Sequence, residues 1–300
     1  MDMTQNKCCR HGANLRRRRR RCRKILRSII FSCSIIAAAV FVAVGSSMIR
    51  SGDGRTNKYD VEAGNNTYDN AVIENSKISV KNKIQNNQSM LDDIMNSTQY
   101  PKQLQELALK NEEAIEFVYD YPTEHVKEHT IDLTEEASMD SVPLFVQWDK
   151  RWGYEKYSGN FFAASGCGPT TLSMVVVYLT HNREASPIAV AKYSKEAGYS
   201  VDGSGSSWTL ISEGCRHYGV KAKTVALDES RMKAELDAGH PIVINVGPGD
   251  FTDTGHFMVI TGYDDEGFSI NDPNSIEKSG KRWLFRNISS QIRAVWSMYV

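Results

Sequence analysis

The pattern of apolar and polar positions divides the chain into stretches of different character. Ser28 to Ile49, SIIFSCSIIAAAVFVAVGSSMI, is a run of 22 residues without a charge. At ~1.5 Å per helical residue it spans about 33 Å, against a hydrocarbon core of ~30 Å. It predicts a transmembrane helix. From Arg50 to about Ser97 the sequence turns to Asn, Ser, Asp and Lys, with helical spacing faint at Met90-Leu91 and Ile94-Met95. That composition predicts a solvated stalk. Past Pro101, Leu104, Leu107, Ala108, Ala114, Phe117 and Val118 follow helical spacing, so a short amphipathic helix is expected up to about Asp120, ended by Tyr121-Pro122. Thr123 to Ser141 is acidic and poor in apolar residues, and reads as a second linker.

From Val142 onward the pattern is that of a packed domain. Leu144-Phe145-Val146 predicts a short strand. The apolar run Leu172 to Leu179 predicts a helix beginning near Cys167, and Ile188 to Ala197 a second one, opened by Pro187 and capped by Ser186. Trp208 to Tyr218, stopped by Gly219, and Ser230 to Ala238, ending at Gly239, are a third and a fourth. Strands are expected at Val220–Val225, Pro241–Val246, His256–Tyr263, Phe268–Asn271 and Trp296–Val300. Helices first and strands afterwards predict an α+β domain, a helical half packed on an antiparallel sheet half. The expected organisation is a basic tail (1–27), a transmembrane segment (28–49), a polar stalk with one helix near 101–120 (50–140) and the α+β domain (141–300).

Charge sharpens this picture. The chain carries 36 basic and 36 acidic residues, but eleven of the bases and only Asp2 of the acids fall before Ser28. That leaves 25 bases and 35 acids beyond, an acidic folded part that excludes nucleic acid as a natural partner. Bases crowd one flank of the apolar run, so the N-terminus is expected in the cytoplasm and the C-terminal domain outside. A cleavable signal peptide is the rival reading, with small residues at Ala43-Val44-Gly45 or Gly45-Ser46-Ser47. The run exceeds the ~7–15 residues of a signal-peptide core, which favours an uncleaved signal anchor.

Candidate chemistry enters with Ser165-Gly166-Cys167-Gly168-Pro169-Thr170-Thr171. A cysteine between two glycines, with proline two residues on and an apolar helix behind it, places a thiol at a loop-to-helix junction. The glycines permit tight turns and leave room for a substrate backbone. The exposed N–H groups at a helix start stabilise a thiolate. Downstream, Gly255-His256 opens an apolar strand, Asp265-Glu266-Gly267 turns, and Phe268-Ser269-Ile270 returns to Asn271-Asp272-Pro273. In an antiparallel hairpin the start of one strand lies opposite the end of the next, so His256 and Asp272 finish side by side. A carboxylate there orients the imidazole, which can then draw the proton from Cys167.

The six cysteines, Cys8, Cys9, Cys22, Cys33, Cys167 and Cys215, show neither metal spacing nor a disulfide framework. Cys215 reads as a small buried residue. His181, His217 and His240 read as structural or solvated, and His125 and His129 lack a third ligand. No metal and no cofactor is expected.

These motifs resemble a known family. Val142-Pro143, Gln147, Trp152-Gly153, Ser165 to Thr170, Gly255-His256-Phe257, Gly262-Tyr263-Asp264 and Asn271-Asp272-Pro273 are similar to the papain-clan domain of the bacteriocin-processing peptidases, which cut after double-glycine leaders. The resemblance covers Val142 to Val300. It implies a papain-like cysteine peptidase fold and a thiol hydrolase of peptide or protein substrates, with Cys167 as nucleophile, His256 as general base and acid, and Asp272 orienting His256. The family commonly carries an oxyanion glutamine six residues before the cysteine, and here that position is Phe161. The expected second oxyanion donor is therefore Gln147, with Asn160 as its rival. The processors are fused to transporter modules on the cytoplasmic side, unlike this chain, so their substrate does not carry over. Two rival functions remain: a peptidoglycan hydrolase or amidase using the same triad, and a catalytically idle domain that binds peptides or cell-wall polymers.

Overall fold

The computed structural model describes residues 66–300, with side chains from residue 79 on. The basic tail and the apolar run Ser28–Ile49 lie outside the described residues. Among those described, no helix is long and apolar enough to cross a membrane.

The principal helices are α1 (Asn66–Asn96), α2 (Lys102–Lys110), α3 (Ile115–Tyr119), α4 (Cys167–Thr180), α5 (Pro187–Glu196) and α6 (Glu229–Asp237). Helix α4 is apolar on every side because it is covered on every side. Leu172, Met174, Val175, Val176 and Val177 have no exposed surface. Helix α5 starts where Pro187 follows Ser186, whose hydroxyl accepts from the Ala189 N–H at 3.3 Å. Asp228 caps α6 in the same way, accepting from the Arg231 N–H at 3.0 Å.

The main sheet is antiparallel. It holds β1 (Lys221–Thr224), β2 (Ile242–Val246), β3 (His256–Asp264), β4 (Gly267–Asn271), β5 (Arg282–Trp283) and β6 (Ile292–Tyr299), in the spatial order β1-β6-β2-β3-β4-β5. Alternation along the strands sorts side chains between two cores. Val243, Phe257, Val259, Trp296 and Met298 pack with α4 and α5. Ile242, Ile244, Met258, Ile260 and Ile270 face the opposite side, with Met232 of α6 and Ile288. Burial on both faces explains why β2 is apolar at every position but Asn245, whose Nδ2 donates to the His256 carbonyl at 3.2 Å.

Four local expectations are corrected. Leu144–Val146 forms no strand; the Val146 carbonyl accepts from Trp152 Nε1 at 2.9 Å and from the Asp149 N–H at 3.2 Å instead of from a strand partner. The third helix breaks into Thr209–Ser212 and a 3-10 turn at Gly214–Tyr218. Gly214 sits against Tyr199, where a Cβ would come within 3.0 Å of the ring. The last strand begins at Ile292, earlier than its apolar run suggests.

The fourth concerns the helix expected near 101–120: it breaks at Asn111 into α2 and α3, and Tyr121-Pro122 opens a further turn, Tyr121–Glu124, rather than ending the helix. Helix α1 runs 31 residues, and most of its side chains from residue 79 on are exposed or half-buried. Leu91 and Ile94 of α1, Leu104, Leu107 and Ala108 of α2, and Ile115, Phe117 and Val118 of α3 build a third core, shared with Phe161 and Ala163. The second linker packs too: Leu133 and Ala137 belong to the core around α4, and Glu136 pairs with Arg151 at 3.1 Å.

Candidate active site

The helix start at Cys167 is shaped by its neighbours. Gly166 and Gly168 do not hold space for a substrate, as the sequence suggested; they admit other parts of the protein. A Cβ on Gly166 would come within 2.6 Å of the Phe162 ring, and one on Gly168 within 2.5 Å of Ser206 Oγ. The turn Phe162–Ser165 leads into α4, so a continuous helix would offer the Ala163 carbonyl to the Cys167 N–H. That carbonyl instead accepts from Gln147 Nε2 at 2.7 Å, and Cys167 N makes no backbone hydrogen bond among the described residues.

The hairpin brings the other two residues together. Strand β3 opposes β4 with Val259 across from Asn271, which carries His256 to the level of the chain just past β4. His256 Nε2 donates to Asp272 Oδ1 at 2.7 Å, and both residues are buried. The ring's other nitrogen is left free of Asp272, and the Cys167 thiol lines the same cleft as the imidazole. Cys167 itself is half-buried.

Electrostatics favour an ion pair. Burial alone would raise the Cys167 pKa, but the hydrogen bond and charge of His256, with the backbone N–H groups of Phe257 and Gly168, outweigh it and hold the thiol below its ordinary value. Burial alone would lower the His256 pKa; the charge and hydrogen bond of Asp272, reinforced by Cys167, push it up to about 10. The contrast with Cys215 is direct. Buried in the core around α4, its thiol is pushed up to about 11 by burial, which the charge of Arg216 offsets only in part.

Gln147 is buried and fixed at both ends. Its backbone N–H donates to the Pro273 carbonyl at 2.7 Å, and its side chain reaches Ala163, so one residue joins the Asp272 loop to the turn before Cys167. Its Oε1 is buried without a partner among the described residues. Asn160 also reaches the cleft, half-buried, with Oδ1 accepting from the Phe161 N–H at 2.7 Å. Phe161 is buried in the third core. Gln147, Asn160, Cys167 and His256 all line one cleft of about 410 Å³.

The other histidines among the described residues are occupied elsewhere. His181 Nδ1 donates to the Ala137 carbonyl at 2.8 Å, His217 stacks on Tyr193 with ring centroids 4.0 Å apart, and His240 pairs with Glu235 at 3.1 Å. His129 Nε2 donates to the Glu124 carbonyl at 3.2 Å, and His125 stacks on Tyr121. What sequence reasoning missed is the far wall of the cleft. Gln103, Glu106, Leu107 and Lys110, at i, i+3, i+4 and i+7 on α2, line it together with Asn111. The helical spacing was visible, but nothing local said that one face of α2 met the cleft.

Comparison with known proteins agrees with the resemblance read from the motifs. The model of the Peptidase_C39 like family matches residues 139–300. Among solved structures, the peptidase domain of Streptococcus ComA, a bi-functional ABC transporter involved in quorum sensing, is 18% identical with a TM-score of 0.39, covering 53% of this chain and 96% of that one. A Bacillus anthracis protein described as C39-like is 17% identical with a TM-score of 0.34, covering 53% and 95%. No protein with a curated description matches the chain. By the family model, which spans more than half of its length, the chain belongs to the Peptidase_C39 like family.

Proposed function

We propose that this chain is a membrane-anchored, papain-like cysteine peptidase acting outside the cytoplasm through Cys167, His256 and Asp272. The observation that carries the reading is the buried His256 Nε2 to Asp272 Oδ1 bond of 2.7 Å beside a cleft that His256 shares with Cys167, the first residue of a buried helix. The thiolate attacks the scissile carbonyl, and the developing oxyanion accepts from the Cys167 N–H and from Gln147 Nε2, whose second hydrogen is not needed by Ala163. The imidazolium gives its proton to the departing amine. Water then attacks the thioester, giving a proton to His256 and freeing the acid product and the Cys167 thiolate, which restores the starting ion pair. Asp272 keeps the ring oriented and supports its charge throughout. Gln147 suits the second donor better than Asn160, because it is buried and held at both backbone and side chain.

The anchor rests on the sequence alone. A charge-free run of 22 residues with eleven bases before it supports a cytoplasmic N-terminus and an external C-terminal domain. Protease added to intact cells should then remove the chain beyond Asn65 and spare the basic end. Protection of the C-terminal domain would overturn the location. For the chemistry, the purified chain should react with a thiol-directed covalent probe at Cys167 and cleave members of a peptide library. Probe labelling with turnover only on purified cell wall would move the substrate to peptidoglycan, and no labelling at Cys167 would mark an idle domain.

A further inference from the structure

The loop that carries Asp272 is held from outside the family domain. Asp272 Oδ1 accepts two bonds, from His256 Nε2 at 2.7 Å and from the Asn274 N–H at 2.8 Å. Asn274 is in turn gripped by Asn111, whose Nδ2 donates to its carbonyl at 2.8 Å and its Oδ1 at 3.1 Å. One residue on, Ser275 donates its hydroxyl to Glu113 Oε1, while Glu113 Oε2 accepts from the Ile276 and Glu277 N–H groups at 2.8 and 3.1 Å. Ser275 closes back on Asp272, its N–H donating to the Asp272 carbonyl at 3.2 Å. Two separate paths of hydrogen bonds therefore run from residues 111 and 113 to Asp272. Asn111 is buried and Glu113 half-buried, and both precede the residues matched by the family model.

We propose that Asn111 and Glu113 are positioning residues of the catalytic centre: they clamp residues 274–277 so that Asp272 holds His256 against Cys167, which makes the segment upstream of the family domain part of the active site. The proposal rests on the reading of Cys167, His256 and Asp272 as a working triad. Charge-assisted bonds from a carboxylate to several donors are the strong kind, and a connected polar network loses more than one bond when a member is removed. Released from the clamp, Asp272 supports the imidazolium less well, and the thiolate paired with it becomes harder to form.

The sign of that effect separates it from simple charge removal. Deleting the negative charge of Glu113 would by itself make a nearby thiolate easier to form. Loss of the clamp makes it harder, and Asn111, being neutral, should act in the same direction. Lys110, Lys278, Asp250 and Asp253, which line the cleft, and Glu277 in the loop are unchanged in these variants.

The test uses the purified full chain and follows alkylation of Cys167 by iodoacetamide against pH, read by mass spectrometry of its peptide, beside peptide hydrolysis and thermal unfolding. Glu113→Ala and Asn111→Ala should each move the acid limb of alkylation up by roughly one pH unit and lower kcat about tenfold, with KM changed by less than about twofold. Glu113→Gln, which keeps an acceptor, should fall between. A limb that stays in place or moves down in both positions overturns the clamp, however far the melting temperature falls. If Glu113→Ala does not fold, Asn111→Ala and Glu113→Gln decide between the same two outcomes. If the wild-type chain hydrolyses no peptide yet the limb moves up as expected, the clamp stands and the peptidase reading falls.

Discussion

At the scale of single residues, the pair Cys167 and His256 sets the pH dependence. The Cys167 pKa lies below its ordinary value, so the thiolate persists as pH falls and is lost only once pH drops through the lowered value. The His256 pKa is raised to about 10, so the imidazolium survives above its usual range and disappears as pH rises through that value. The profile of kcat/KM should therefore be a broad bell, flat around neutrality, with two apparent pKa values that belong to the pair. In Asp272→Asn the amide still accepts the ring's hydrogen bond but supplies no charge, so the alkaline limb should move to lower pH. An unmoved alkaline limb would sever Asp272 from His256. Gln147→Ala should lower kcat by ~10²-fold, the usual cost of one oxyanion donor, while the thiolate titration stays close to that of the wild type. If Asn160→Ala produces that signature and Gln147→Ala does not, the donor is Asn160.

At the scale of elements, the site depends on how closely α4 approaches the short strand Gly205–Ser206. Gly168→Ala would set a methyl group 2.5 Å from Ser206 Oγ and 2.7 Å from its Cβ. Overpacking of this kind costs about 1–3 kcal/mol, measurable by denaturant unfolding. Ser206→Gly in the same chain should recover most of the loss; no recovery would mean that the glycine serves something other than this contact. The α4 start and the β3–β4 hairpin were legible in the sequence because their signals are local. Glycines and a proline surround Cys167, and His256 and Asp272 are 16 residues apart across one turn. The strand expected at Leu144–Val146 failed because three consecutive apolar residues cannot reveal whether a backbone partner exists. The third helix failed at Gly214, where packing against Tyr199 overrode the helical spacing.

At the scale of the whole molecule, the sequence divided what the fold unites. Composition assigned 50–140 to a polar stalk with one helix near 101–120, yet Leu91 and Ile94 of α1, Leu104, Leu107 and Ala108 of α2, and Ile115, Phe117 and Val118 of α3 are buried and form a core with Phe161 and Ala163. No single period announces such a core, and the contacts that matter are long-range. Asn111 reaches Asn274 across 163 residues. Phe117, 3% exposed, stacks on Tyr154 at 4.2 Å and fills the space left by Gly153. Phe117→Ala should cost about 3–5 kcal/mol in unfolding free energy, as large-to-small core changes do. A loss under ~1 kcal/mol would return that segment to the role of a stalk.

The central claim is that Cys167 is the nucleophile. It is tested most directly by peptide hydrolysis with the purified chain, its Cys167→Ala variant and its Cys215→Ala variant, each checked for folding by thermal unfolding. Cys167→Ala should fold and lose turnover by roughly 10⁴-fold or more, while Cys215→Ala keeps it. A folded Cys167→Ala chain that still cleaves peptide, or a folded Cys215→Ala chain that does not, would contradict it.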